Sequence, residues 1–314
     1  MPDAKTVLSA SLRRLAREGR LRRLAETPTM SREFVHRYVA GEGVSAAVAV
    51  ATDLIAKRRL VCLTLLRPPP ESGDDARSAA KRYRKLLRRL DESGLGGADR
   101  CEVSFSLEAM GVELGAEGPA LALELSRRVC QAAANRGALV TVEMHRGGDV
   151  DATVETVADL RQDFPFVGIS LEAALRRTES DVRDQLGTRV RLWRGPSGGA
   201  DDRFGTPAQV DRAFARSVRR LMAHPGGTPV VSTQDLRLIE ITEALARFHG
   251  RPSDSYEIQL RYGVRPATQA NVGDRGDRMR VYTPFGDDWY AYLISRVADD
   301  PTNVGDLLKA VFAR

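Results

Sequence analysis

The run Arg189-Val-Arg-Leu-Trp193 is followed by Thr206-Pro207, by a helical pattern reaching Ala223, and by a second short run, Thr228-Pro-Val-Val-Ser232. Short β-rich runs bounded by turn residues read as strands, and a helix crossing between two of them makes the strands parallel. The helix start is well marked, with Thr206 as N-cap and proline at the first helical position. The same unit recurs in both directions along the chain. Further strand-like runs fall at Leu60–Leu65, Cys101–Ser106, Leu139–Met144, Phe166–Ser170, Tyr256–Leu260 and Met279–Tyr282. Helical patterns fall at Ser45–Lys57, ahead of the first strand, and at Ala76–Ser93, Pro119–Asn135, Val150–Asp163, Leu175–Leu186, Leu236–His249 and Asp287–Ala298. A short piece, Ala267–Gly273, separates the last two strands. Eight strands, each followed by a helix, imply an α/β fold of the (β/α)8 TIM-barrel type. An open doubly wound sheet is the alternative, because strand number does not establish closure. Residues 1–30 are polar and basic and read as a helical arm outside a barrel of residues 31–314.

Several strands alternate where a parallel barrel usually carries continuous aliphatic runs. Glu102, Ser104 and Ser106 share one face against Val103 and Phe105, and Thr141 and Glu143 oppose Val140 and Val142. Arg189, Arg191 and Trp193 form a third polar set, Glu257, Gln259 and Arg261 a fourth, and Arg280 with Tyr282 a fifth. Helices pack on the apolar face, so the polar sets point into the barrel. Ionised groups in an enclosed space are costly unless paired or solvated. Two explanations remain: an internal Arg–Glu network that satisfies itself, or a wet mouth built around a large polar ligand. The second is the reading preferred here, because Glu143, Glu172, Arg191, Gln259, Arg261 and Tyr282 all come near strand C-terminal ends.

The 314 residues are 42% hydrophobic and 29% charged, a soluble globular balance, and no 18-residue apolar run marks a transmembrane helix. No apolar core follows the basic N-terminal residues as a secretory leader would require, so a cytoplasmic location is expected. The formal charge is +6, which taken alone suggests nucleic acid. Yet only five of the 48 basic residues are lysines, so the excess looks like uniform arginine usage and no nucleic-acid partner is expected. Cys62, Cys101 and Cys130 are too few and too scattered for a metal site or disulfide framework. An HExxH motif is absent, and of the four histidines only His145 lies at a strand end. The long connections Arg67–Asp75 and Arg194–Thr206 carry no phosphate-loop signature.

Collinear stretches point further. Arg37-Tyr-Val-Ala-Gly-Glu42, Phe164-Pro-Phe-Val-Gly168, Leu175-Arg-Arg-Thr-Glu179, Tyr256-Glu-Ile-Gln259, Tyr262-Gly-Val-Arg265, Arg280-Val-Tyr-Thr-Pro284, Asp288-Trp-Tyr-Ala-Tyr-Leu293 and Asp300-Pro-Thr-Asn303 occur in order. From about Arg37 to Phe312 the chain resembles the single-domain bacterial proline dehydrogenases. Those are distorted TIM barrels that hold FAD and oxidise proline to pyrroline-5-carboxylate. The resemblance implies an FAD cofactor, with Arg191, Gly195, Thr233, Gln259 and Arg296 where the family places flavin or substrate contacts. Asp299 stands for a glutamate, Arg194 for a lysine, Glu172 for a glutamine and Gln234 for a histidine. Arg191 or Arg194 is the expected counter-charge to Glu172.

The substrate side departs further from that family. Its strand-two lysine is Ser106 here, and no lysine occurs between Lys85 and Lys309 to replace it. Its arginine pair is Ser295-Arg296, a pocket leucine is Arg261, the strand-three aspartate is Glu143, and the tyrosine that covers the flavin is Ser197. Tyr282 and Tyr292 remain. The resemblance therefore implies a divergent FAD-dependent oxidoreductase acting on the C–N bond of a small-molecule amino acid or amine, and not on proline itself. In that reading Ser106, Glu143 and Tyr282 are catalytic candidates; Arg261, Tyr292, Ser295 and Arg296 bind substrate; and Glu172, Arg191, Arg194, Gly195, Thr233, Gln234, Gln259 and Asp299 hold FAD. The alternative is a degenerate barrel that has lost proline oxidation, with or without its flavin, serving as a binding or regulatory protein or in a flavin-free reaction.

Overall fold

A computed structural model describes residues 32–97, 100–144, 149–198 and 201–299, with side chains of 32–34, 294 and 296–299 left undescribed. The basic arm, His145 and Asp300-Pro-Thr-Asn303 lie outside the described residues, as do the side chains of Arg296 and Asp299. Two helices lead in, α1 (Arg32–Tyr38) and α2 (Val44–Ala56). Then follow β1 (Leu60–Leu66), α3 (Gly73–Glu92), β2 (Cys101–Ser106), α4 (Gly118–Ala134), β3 (Leu139–Glu143), α5 (Val150–Asp163), β4 (Gly168–Glu172) and α6 (Thr178–Asp184). The second half runs β5 (Arg189–Trp193), α7 (Pro207–Ala223), β6 (Thr228–Ser232), α8 (Leu236–Phe248), β7 (Glu257–Arg261), α9 (Pro266–Asp274), β8 (Met279–Gly286) and α10 (Trp289–Asp299).

The strands pair in chain order, and β8 pairs β1 in parallel from Leu60↔Arg280 to Leu66↔Gly286. That last ladder closes the barrel and excludes the open sheet. Gly286 is required where it stands: φ is +132°, and a Cβ would meet the Leu66 carbonyl oxygen at 2.1 Å. The outer strand face is aliphatic and fully covered, with Val103, Val140, Val142, Ile169, Val190, Leu192, Leu260 and Val281 inaccessible to solvent. Burying each such side chain favours folding by about 1.5–3 kcal/mol.

Helix positions follow from their caps. Thr206 and Gln209 form a reciprocal capping box ahead of Pro207. Ser72 accepts from the Asp75 amide at the head of α3, whose buried stripe is Ala76, Ala79, Ala80, Tyr83, Leu86, Leu87 and Leu90. Helix α1 is an addition to the eight-fold pattern. The chain after it runs beside β8, with Ala40 N donating to Pro284 O at 2.8 Å and Gly286 N to Gly41 O at 2.9 Å.

One side chain shapes the site. Tyr83 of α3 donates to Ser104 O at 2.7 Å and accepts from Leu65 N at 2.9 Å. The β1–β2 ladder ends at Thr64↔Ser104, and the phenol takes the place of the next rung.

Candidate active site

The inward polar residues divide into levels along the barrel axis. In the lower level Arg189 reaches Glu102 at 2.7 Å and Glu257 at 2.8 Å. Arg280 lies 2.6 Å from Glu257 and 3.2 Å from Glu102, and Arg278 lies 3.0 Å from Glu257. Glu102, Glu257 and Arg280 are wholly buried. Burial alone raises the Glu102 carboxyl, but Arg189, Arg191 and Arg280 outweigh it and hold it at about 2. The same balance, dominated by Arg189 and Arg280, keeps Glu257 well below the usual carboxylate range. The charges of this level pair with one another, so the expectation that the polar strand faces serve a guest is corrected for Glu102, Arg189, Glu257 and Arg280.

Arg191 joins this level to the next. Its Nη2 donates to Glu102 Oε1 at 2.7 Å and to Cys62 Sγ at 3.1 Å, while Nη1 donates to Glu143 Oε1 at 2.8 Å. Ser104 Oγ donates to the same Glu143 oxygen at 2.6 Å. Oε1 is thus held twice, whereas Oε2 has a long contact of 3.4 Å with the Tyr282 hydroxyl. The Arg191 guanidinium also lies 5.6 Å from the Tyr282 ring centre. Burial pushes the Cys62 thiol up to about 12, so it is a neutral packing group and no nucleophile.

Above Glu143 opens a cavity of about 190 Å³ at the C-terminal ends of β1, β2, β3 and β8, lined among others by Thr64, Arg67, Ser106, Glu108, Glu143, Tyr282 and Tyr292. The structure therefore brings together four of the predicted site residues: Ser106, Glu143, Tyr282 and Tyr292. A wider, open depression of about 330 Å³ lies at the opposite end, lined by Ala56–Arg59 and Asp274. It is remote from the polar lining, and barrel enzymes work at the C-terminal strand ends. Ser295 donates its hydroxyl to the Tyr292 carbonyl at 2.8 Å.

A second cluster stands at the tops of β4 to β7. Gln259 is wholly buried, and neither its Nε2 nor its Oε1 finds a hydrogen-bond partner. Gln234 Oε1 accepts from Arg261 N at 3.3 Å, and Thr233 Oγ1 accepts from Asp235 N at 3.2 Å. The expected counter-charge to Glu172 is corrected. Arg191 is committed to Glu102 and Glu143, and Arg194 turns to Asp211 of α7 at 2.6 Å. Arg203 takes the role instead, binding both Glu172 oxygens. Gly195, at φ +73°, makes room for this carboxylate, since a Cβ there would lie 2.1 Å from Glu172 Oε1. Sequence reasoning missed Arg203, Tyr83 and Cys62. Strand parity marks Cys62 as inward, but no periodicity marks a loop arginine.

A closed parallel barrel with a half-polar cavity at its C-terminal mouth defines the class. Within it the chain is similar to the proline dehydrogenases. It is 29% identical over 283 residues to proline dehydrogenase 1 of Bacillus subtilis, covering 88% of this chain and 90% of that protein. Proline dehydrogenase of Deinococcus radiodurans is 29% identical over 284 residues, with the same coverage. Among solved structures, proline utilization A from Bdellovibrio bacteriovorus superposes with TM-score 0.78 at 19% identity, covering 88% of this chain. The Corynebacterium freiburgense protein of that name gives 0.74 at 17% identity over 97%. The chain spans about one third of each of these two larger proteins, at 33% and 34%. No family model matches the sequence.

Proposed function

We propose that the barrel is an FAD-dependent oxidoreductase that oxidises the C–N bond of an amine or amino acid other than proline. The observation that carries this is Glu143: one oxygen is locked by Ser104 and Arg191, and the other faces the cavity beside Tyr282. A carboxylate so held is a directed acceptor for a substrate N–H. The fit to a flavin rests on Gln259. A buried amide with donor and acceptor both unsatisfied suits a ligand edge carrying complementary groups. Gln259, Thr233, Gln234 and the Glu172–Arg203 pair would hold FAD, with Gly195 leaving space for that pair. When bound, FAD supplies the acceptor for the hydride that leaves the carbon beside nitrogen, as the amine loses a proton and its C–N bond becomes C=N.

The chain's own residues do the rest. Glu143 Oε2 accepts the amine N–H and fixes which carbon faces inward; Tyr282 and Tyr292 bound the cavity. Ser295 stands where the resemblance implies one arginine of the pair that clamps an amino-acid carboxylate, so that clamp must be completed elsewhere. Arg261 and Arg296 fill that role in this proposal, which is why proline is set aside. A cytoplasmic location belongs to the same proposal, on the soluble composition.

The test is spectroscopic. Purified protein should carry or take up FAD, and an anaerobic screen of amines and amino acids should find one that bleaches it faster than proline does. Colourless protein that takes up no FAD would support instead a barrel that keeps only the fold.

A further inference from the structure

Glu172 ends β4 with its side chain 3% exposed, and Arg203 covers it at 15%. An ionised carboxylate at that depth is strongly unfavourable unless paired. The pair is also pre-organised. Arg203 is presented by an antiparallel bridge to Leu175, with Arg176 N donating to Asp202 O at 2.8 Å and Phe204 N to Ala174 O at 2.9 Å. On its other side the backbone at Gly195, in the connection just after β5, presses so close to Oε1 that a Cβ is excluded. The carboxylate thus has one fixed position.

Arg203 binds both oxygens, Nη2 to Oε2 at 3.1 Å, yet a carboxylate offers about four lone-pair sites, so acceptor capacity remains. The geometry points to a single neutral acceptor unit within the cofactor site, with Arg203 as the positioning residue. This rests on the FAD reading above. The flavin ring carries one imide N–H between two carbonyl oxygens. A bare carboxylate attracts that N–H but repels the flanking oxygens; the guanidinium cancels the repulsion and keeps the acceptor.

The experiment is an FAD titration of the full chain, followed by flavin fluorescence, with R203A, E172Q and the double variant E172Q/R203A, each checked for folding by circular dichroism. Arg203→Ala should weaken FAD binding about 10- to 100-fold, by leaving a buried charge unpaired beside the ring. The double variant should recover to within about five-fold of the unaltered chain, because a neutral amide needs no counter-charge. A merely loop-anchoring arginine would leave the double variant as weak as R203A, which overturns the inference, as does a folded R203A with full affinity. If R203A does not fold, the double variant decides: near-normal uptake supports the unit, and folded protein without uptake overturns it. No uptake by the unaltered chain overturns the FAD reading and this inference together. Normal uptake with either contrary mutant result overturns this inference alone.

Discussion

Glu143 offers its two oxygens to different neighbours, and the division gives the residue its direction. Replacing it by Gln keeps the shape and removes the charge, so amine-dependent flavin reduction should fall on the order of 10- to 100-fold in kcat/KM, read by stopped-flow. Glu102 gives a second prediction at this scale. Its folded value of about 2 lies below the ordinary 4.5, so the stabilisation it brings is complete above about pH 4.5 and is lost as pH falls towards 2. Denaturant melts across that window should show the loss, and E102Q should flatten it. Strand parity made Glu143, Arg191 and Tyr282 legible as inward-facing, because side chains alternate strictly along a strand. It could not separate residues that pair with each other from those that meet a ligand. That distinction depends on height along the barrel axis, which alternation does not encode. Arg203 was illegible for another reason: it meets Glu172 across 31 residues of sequence, from a loop with no period.

At the level of elements, Tyr83 shows how a helix opens a sheet. Its hydroxyl bridges Leu65 N and Ser104 O where β1 and β2 stop pairing. Tyr83→Phe leaves both buried backbone groups without that partner. It should cost about 1–3 kcal/mol by urea denaturation, with a rise in substrate KM as the cavity wall relaxes. Most element bounds read from the sequence agree with the structure within a few residues, because caps such as Thr206-Pro207 are local. Two differ for tertiary reasons. β8 runs on to Gly286, since Thr283–Gly286 find partners on β1 out to Leu66. Helix α6 starts at Thr178, later than Leu175, because Ala174, Leu175 and Arg176 are spent on docking the Arg203 segment.

Across the whole molecule, the buried arginine–glutamate level forms a floor beneath the cavity at the C-terminal mouth. A ligand that binds only the folded barrel stabilises it by mass action, so FAD at about 100 times its Kd should add roughly 2.7 kcal/mol, visible as a higher Tm. The eight-fold β/α repeat was legible in the sequence, but closure was not, because strand number does not fix whether β8 meets β1; likewise alternation left open whether the inward charges pair with one another or meet a ligand. The most direct test of the central claim is anaerobic: mix FAD-loaded protein with a panel of amines, amino acids and proline, and follow the visible flavin band. The account predicts rapid bleaching by at least one amine or amino acid, faster than by proline and strongly slowed in E143Q. Bleaching by proline alone, or bleaching unaffected by E143Q, would contradict it.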